Sequence, residues 1–327
     1  MTLIEAIIFG LVQGVTEFIP VSSSGHLSLL GRIFNTDPDA MFTLSAWVHM
    51  GTLMAVFIVM RREIMEILRD ILGPRTWKIV IATIPTVVVA FLIHSQLSNI
   101  FGGRFLGYSF LITGIFLLLI VLFGRSGDKK SEARSAGKTV QAEQAAAKKV
   151  QTDSSTHNIS DSDDQTAAVK VSQTDIKHTA DKNSHKNNDF GGKDVGYLEA
   201  ILAGIGQAVA ILPGVSRSGS TLTAMLIAKV DRKKAIRFSF LMSIPAIVGG
   251  FIFDLRDLIA GEGAALATLG FGNLLVGVLA SAIAGWLAME WMLRKLKRKA
   301  FMICAVYVLI LGVLVLIDQT FTQLIFN

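Results

Sequence analysis

Residues 105–123 read FLGYSFLITGIFLLLIVLF, without a charge. A helix satisfies its own backbone hydrogen bonds, and about 20 apolar residues cross a bilayer. Uncharged apolar runs therefore constrain this chain more than any other feature. Five further apolar runs, uncharged apart from Glu290, lie at about 44–60, 79–94, 238–253, 269–292 and 301–317. The expected fold class is all-α, a polytopic membrane protein with three transmembrane helices in each half. Hydrophobic residues make up 52% of the 327, which agrees.

Two segments fit this scheme differently. Residues 3–20 and 197–212 are apolar but short and contain glycine, and each leads into a polar run, VSSSGH and VSRSGST. A helix, a polar break and a second short helix at membrane depth describe a re-entrant pair. Irregular backbone is tolerated there only where protein or a cavity surrounds it. Pro85 and Pro245 fall inside spanning runs and are expected to kink them.

Between the apolar blocks, residues 125–194 are rich in Lys, Asp, Ser, Thr, Gln and Ala and nearly lack large apolar side chains. Such a stretch buries too little surface to offset its ordering entropy, so disorder is expected. His157, His178 and His185 lie here and read as scattered solvated histidines. The expected organisation is a first membrane repeat at 1–124, a hydrophilic cytoplasmic insertion at 125–194 and a second membrane repeat at 195–327. The formal net charge of +6 is carried by basic clusters at 61–75, 125–138, 232–237 and 294–299. Placing all four in the cytoplasm threads both halves consistently, with the 95–104 and 254–268 loops and both termini outside. No nucleic-acid partner is expected from basic residues so placed. Cys304, the one cysteine, excludes a disulfide framework and a thiolate metal site. Glu5 stands where a cleavable leader would carry basic residues, so none is expected.

The halves are related. At an offset of 194 residues, ten of the 21 positions 5–25 are identical, including Glu5/Glu199, Gly10/Gly204, Gln13/Gln207, Ser22/Ser216 and Gly25/Gly219. Chance gives roughly one or two. An odd number of crossings per half makes this an inverted-topology repeat, and such folds place their site near the midplane where broken helices meet.

The polar breaks carry the chemistry. Gln13 and Glu17 lie four apart, on one helix face. An ionisable carboxylate in an apolar segment is costly and marks a functional candidate. Oxygen donors from Gln13 and Glu17 suit a hard divalent cation, Mg²⁺ or Ca²⁺, completed by phosphate and water. Ser22, Ser23, Ser24 and Gly25 follow Pro20 and offer N-caps and free backbone N–H groups, an arrangement that binds phosphate. His26 is close enough in sequence to activate a serine or water, or to attack phosphorus itself. In the second motif Arg217 matches two phosphate oxygens. Ser216, Ser218 and Thr221 add donors, and Gly214 and Gly219 allow close approach. Arg217 can equally pair with Glu17 before substrate arrives. His49 reads as readily as a packing residue as a catalytic one.

The motifs QGVTEFIPVSSSGH at 13–26 and LPGVSRSGST at 212–221, with HMGTLMAV at 49–56 and FSFLMSIP at 238–245, resemble the undecaprenyl-diphosphate phosphatase family of the bacitracin-resistance type. The resemblance covers both apolar blocks. It implies an integral enzyme of the bacterial plasma membrane that hydrolyses undecaprenyl diphosphate to undecaprenyl phosphate and phosphate. That recycles the lipid carrier for peptidoglycan synthesis, with the site open to the outer face. It implies bacitracin resistance, since bacitracin acts by sequestering the same polyprenyl diphosphate lipid, and it leaves a homodimer open. By resemblance Gln13 and Glu17 form the acidic, metal-linked motif. Ser23 and His26 match the nucleophile and its partner in unsettled order, and Arg217, flanked by Ser216 and Ser218 with Thr221 nearby, matches the diphosphate-binding arginine. Gln13 stands where some members have Glu, and residues 125–194 exceed the family's usual short linker. The other function class compatible with an inverted repeat is a secondary transporter or flippase for a polyprenyl phosphate.

Overall fold

The computed structural model describes residues 1–101, 105–123, 194–259, 269–295 and 298–326. They belong to one compact unit, Met1–Gly124 together with Lys193–Asn327. The second unit, Arg125–Gly192, and with it most of the expected hydrophilic insertion and its histidines, lies outside the described residues.

Among the described residues the architecture is all-helical. The first half contributes α1 (Leu3–Phe18), α2 (Ser23–Ile33), α3 (Pro38–Val59), α4 (Arg61–Arg69), α5 (Pro74–Phe101) and α6 (Leu106–Phe123). The second contributes α7 (Tyr197–Val209), α8 (Arg217–Ile227), α9 (Arg232–Ile259), α10 (Phe271–Lys295) and α11 (Arg298–Ile317), continued by a π-helical turn at Asp318–Thr322. Six helices are long and apolar enough to cross a membrane: Ala40–Val59, Pro74–Ile93, Leu106–Phe123, Arg232–Ile252, Phe271–Lys295 and Arg298–Thr322. These are the six runs expected from sequence. Two helices outrun their apolar segments. α5 continues to Phe101 through residues expected to form a loop, and α9 reaches Ile259. Apolarity sets the part of a helix that lipid accepts, whereas polar residues beyond it remain free to stay helical. Pro85 and Pro245 lie inside α5 and α9, where each removes one helical N–H.

Shared sequence does shared local work. The Glu5 carboxylate accepts from Thr2 N at 2.8 Å while Thr2 Oγ1 accepts from Glu5 N at 3.2 Å, a capping box that starts α1. Its repeat partner Glu199 accepts from Gly196 N at 2.9 Å and starts α7. Each first helix then stops at its polar break.

Under the offset of 194, α1 corresponds to α7, α2 to α8, α3 to α9, α5 to α10 and α6 to α11. Packing follows this correspondence across the halves. α1 lies against α10 and α7 against α5; α3 packs on α9 and α10, α9 on α3 and α5, and α6 on α11. Small residues allow the closest crossings. A Cβ at Gly14 would lie 2.6 Å from both Ser281 O and Gly285 N of α10, and one at Gly10 would collide with Gly277 O. Gly204 of α7 meets Ala82 O of α5 in the same way. Lipid supplies little hydrophobic drive between helices, so such dense contacts hold the bundle. The main core gathers Phe18, Phe110, Leu222, Phe240, Met289 and Phe301 around the two breaks.

Candidate active site

The chain leaves α1 through Ile19 and Pro20 and enters α2 at Ser23. Between them Ser22 takes φ 74°. A non-glycine residue in that region costs on the order of 1–3 kcal/mol and persists only where its surroundings enforce it. Across this turn the hydroxyl of Ser23 reaches the carboxylate six residues earlier.

That carboxylate, Glu17, is the hub. Its Oε1 accepts from Arg217 Nη2 on α8. Its Oε2 accepts from Ser23 Oγ at 2.6 Å and from Gln13 Nε2 at 3.0 Å, and His49 Nε2 of α3 stands 3.5 Å away. Glu17 is only 7% exposed, so these partners replace the water an ionised carboxylate needs. Four elements thus converge on one oxygen pair: α1, the start of α2, α3 and the start of α8. The other guanidinium nitrogen, Arg217 Nη1, donates to Ser243 O at 3.5 Å. Beside the pair lies a small cleft lined by Glu17, Phe18, Arg217, Ser218, Ser239, Phe240 and Ser243.

The motif hydroxyls divide between the cleft and the scaffold. Ser22 Oγ caps Gly25 N at 3.2 Å, and Ser216 Oγ caps Gly219 N at 3.0 Å, so these glycine amides, expected to be open for phosphate, are spent on capping. Ser24 Oγ accepts from Gly214 N at 3.2 Å and ties the first motif to the second. Gly214 has φ 86°, and a Cβ there would meet Leu106 and Ser109. Thr221 Oγ1 donates to Arg217 O at 2.9 Å and takes the Ser239 hydroxyl at 2.6 Å. Ser218 Oγ lies 3.3 Å from Ser216 Oγ and faces the cleft. The first two amides of each short helix, Ser23 and Ser24 on α2 and Arg217 and Ser218 on α8, donate to no backbone or side-chain acceptor among the described residues. They are the orphan donors of two helix N-termini, a ready anion site.

His26 does not meet the serine hydroxyls. Its Nδ1 is 2.6 Å from Ser22 O, its Nε2 is 2.8 Å from the Tyr307 hydroxyl of α11, and Phe110 presses edge-on at 5.4 Å. The proton expected to pass to His26 from Ser23 is instead directed at Glu17. Sequence reasoning left His49 undecided and missed Thr113, Ser239, Ser243 and Tyr307. Thr113 Oγ1 accepts from Ser216 N at 3.0 Å and so holds the second break from α6. All are isolated polar residues on apolar helices, and that isolation was the available signal.

The sequence model of the bacitracin resistance protein BacA family matches residues 6–149 and 166–314. The chain belongs to this family. It is 32% identical over 320 residues to undecaprenyl-diphosphatase 4 of a Bacillus cereus strain, covering 98% of each chain. The undecaprenyl-diphosphatase of Carboxydothermus hydrogenoformans is 32% identical over 320 residues, again with 98% of each covered. That of Christiangramia forsetii is 30% identical over 328 residues, with 97% of this chain and 98% of the relative covered. Both breaks of the chain, and all of the residues around Glu17, fall inside the matched segments.

Proposed function

We propose that this chain is a membrane phosphatase that hydrolyses undecaprenyl diphosphate to undecaprenyl phosphate and inorganic phosphate. One observation carries the chemistry: a serine hydroxyl donates to a buried carboxylate whose other oxygen is held by an arginine from the opposite half. Arg217 and the orphan amides of Ser23, Ser24, Arg217 and Ser218 receive the diphosphate beside Glu17. Substrate oxygens take over the guanidinium, which frees Glu17 to accept the Ser23 proton. Ser23 Oγ bonds to the terminal phosphorus while the bridging P–O bond breaks, and undecaprenyl phosphate leaves with the electron pair. Glu17 passes that proton to the departing undecaprenyl phosphate; water then gives a proton to Glu17 as it attacks the phosphorus, the P–O bond to Ser23 breaks, and the Ser23 oxygen takes the proton back as phosphate leaves. Positioning and fixed charge supply most of the acceleration in such transfers.

A divalent cation, Mg²⁺ or Ca²⁺, is part of the reading. Gln13 is fully buried and its Oε1 has no partner among the described residues, so an amide oxygen stands spare one turn from Glu17. One amide oxygen and one carboxylate suit a hard ion whose other ligands are phosphate and water. Gln13 and Glu17 would hold it, and it would neutralise developing phosphate charge. The reciprocal packing of α1 on α10 and α7 on α5 supports an inverted repeat with re-entrant pairs α1–α2 and α7–α8. The threading by basic clusters supports a plasma-membrane site open to the outer face, and consumption of its lipid target would confer bacitracin resistance. The deciding assay is phosphate release from undecaprenyl diphosphate by detergent-purified protein, with and without chelator. Cation-dependent release is expected. Lipid movement in vesicles without any phosphate release would favour a flippase and refute the phosphatase.

A further inference from the structure

His26 is placed to hold a turn, and the two copies of the motif show what needs holding. In the second copy Ser216 has φ −69°, an ordinary value, and position 220 is a serine whose hydroxyl bonds Arg217 O at 3.0 Å. In the first copy Ser22 sits at φ 74°, and the aligned position is His26. Strain and imidazole occur together in one copy and are both absent from the other.

The contacts fix the ring's protons. A carbonyl oxygen only accepts, so the 2.6 Å contact to Ser22 O requires the proton on Nδ1. In the neutral ring Nε2 is then an acceptor, and the Tyr307 hydroxyl donates to it at 2.8 Å, the two rings stacked 19° apart. Both nitrogens are occupied, neither by Ser23. Tyr307 is the titratable group against the ring, and Phe110 from α6 closes its edge.

We infer that His26 is a positioning residue. Its Nδ1–H clamps the Ser22 carbonyl in the strained turn that delivers Ser23 to Glu17, and Tyr307 fixes the tautomer. The inference rests on the phosphatase reading for its kinetic test. Asparagine carries a side-chain N–H at the same bond separation as Nδ1, and glutamine one at that of Nε2. His26→Asn is therefore expected to keep kcat within about tenfold of wild type, with the shape of the pH–rate profile retained. His26→Gln and His26→Ala are expected to fall about 10²-fold or more. Were Nε2 the base or nucleophile, His26→Asn would lose the 10²–10⁴-fold typical of general acid–base catalysis, together with one limb of the profile. That result overturns the inference, as does label trapped on His26.

A second measurement does not depend on turnover. In ¹⁵N-histidine spectra of the full-length protein in detergent, the signal absent from His26→Asn is expected to show the Nδ1–H tautomer, with exchange between tautomers appearing in Tyr307→Phe. An Nε2–H tautomer in the wild type contradicts the inference even if phosphate release is normal. Absence of phosphate release with an Nδ1–H tautomer would instead remove the phosphatase reading and leave the clamp standing.

Discussion

The segment from Gln13 to His26 and the segment from Gln207 to Ser220 are two copies of one frame, and they do different work. Both start from a glutamate-capped helix, and both end in a serine cap that opens a second short helix. Of the eight aligned positions at which they differ, three carry the contrast in chemistry: Glu17 against Ile211, Ser23 against Arg217, and His26 against Ser220. The first copy holds the carboxylate, the hydroxyl and a strained turn. The second holds the cation and an unstrained one. Neither makes a site alone, because a carboxylate buried to this degree needs Arg217, and a guanidinium at the start of α8 needs an anion. The shared frame supplies the geometry, and Glu17 in one copy and Arg217 in the other supply complementary charge.

The largest test of this division is to remove its two charges. Arg217→Ala and Glu17→Ala are each expected to lower kcat by at least about 10²–10³-fold, the scale of losing one charge-stabilising donor. Truncating one member of a buried pair also costs about 3–5 kcal/mol, so each variant should melt earlier. The double variant Glu17→Gln, Arg217→Met is expected to recover much of the melting temperature and none of the turnover. Recovery of turnover would show that the pair is structural only.

Next in size is the contrast between aligned serines and between aligned small residues. Ser23→Ala is expected to reduce kcat about 10²-fold with little change in KM, since its hydroxyl faces Glu17. Ser216→Ala removes a cap and should cost about 1 kcal/mol of stability, with a smaller kinetic effect. Equal kinetic losses would erase the proposed asymmetry. Gly14→Ala forces a methyl onto Ser281 O and Gly285 N, and a loss of about 1–3 kcal/mol is expected by thermal melting. Its aligned residue Ala208 already carries that methyl.

The smallest expected effect is at the glutamines. Gln207 Nε2 donates to Thr86 at 3.1 Å, but its buried Oε1 is unpartnered among the described residues, so Gln207→Leu should change stability by less than about 1 kcal/mol. Gln13→Leu should leave stability similar but weaken stimulation by Mg²⁺ or Ca²⁺. If both glutamines behave alike, Gln13 has no part in cation binding.

Much of this was legible in sequence for physical reasons. Apolar runs announce spanning helices because lipid accepts little else. The pair Gln13 and Glu17 was legible because a spacing of four puts them on one face, and the bond between them forms. The Arg217–Glu17 pair was legible because two opposite charges in an apolar chain have few other places to go. The partners of His26 were not legible because proximity in sequence to serines says nothing of where a ring turns. Here a carbonyl one turn back and a tyrosine 281 residues away claim its nitrogens. His49 and Tyr307 stayed uncertain or unseen because their roles depend on which long helices face each other.

The central claim is that Ser23 from one half reacts only because Arg217 from the other half holds the phosphate. Rapid quenching of the protein with undecaprenyl diphosphate labelled on its terminal phosphate tests it directly. The account predicts transient label mapped to Ser23 in the wild type and none in an Arg217→Ala protein that still inserts and folds. Label on Ser23 at wild-type levels without Arg217, or on another residue in the wild type, would contradict it.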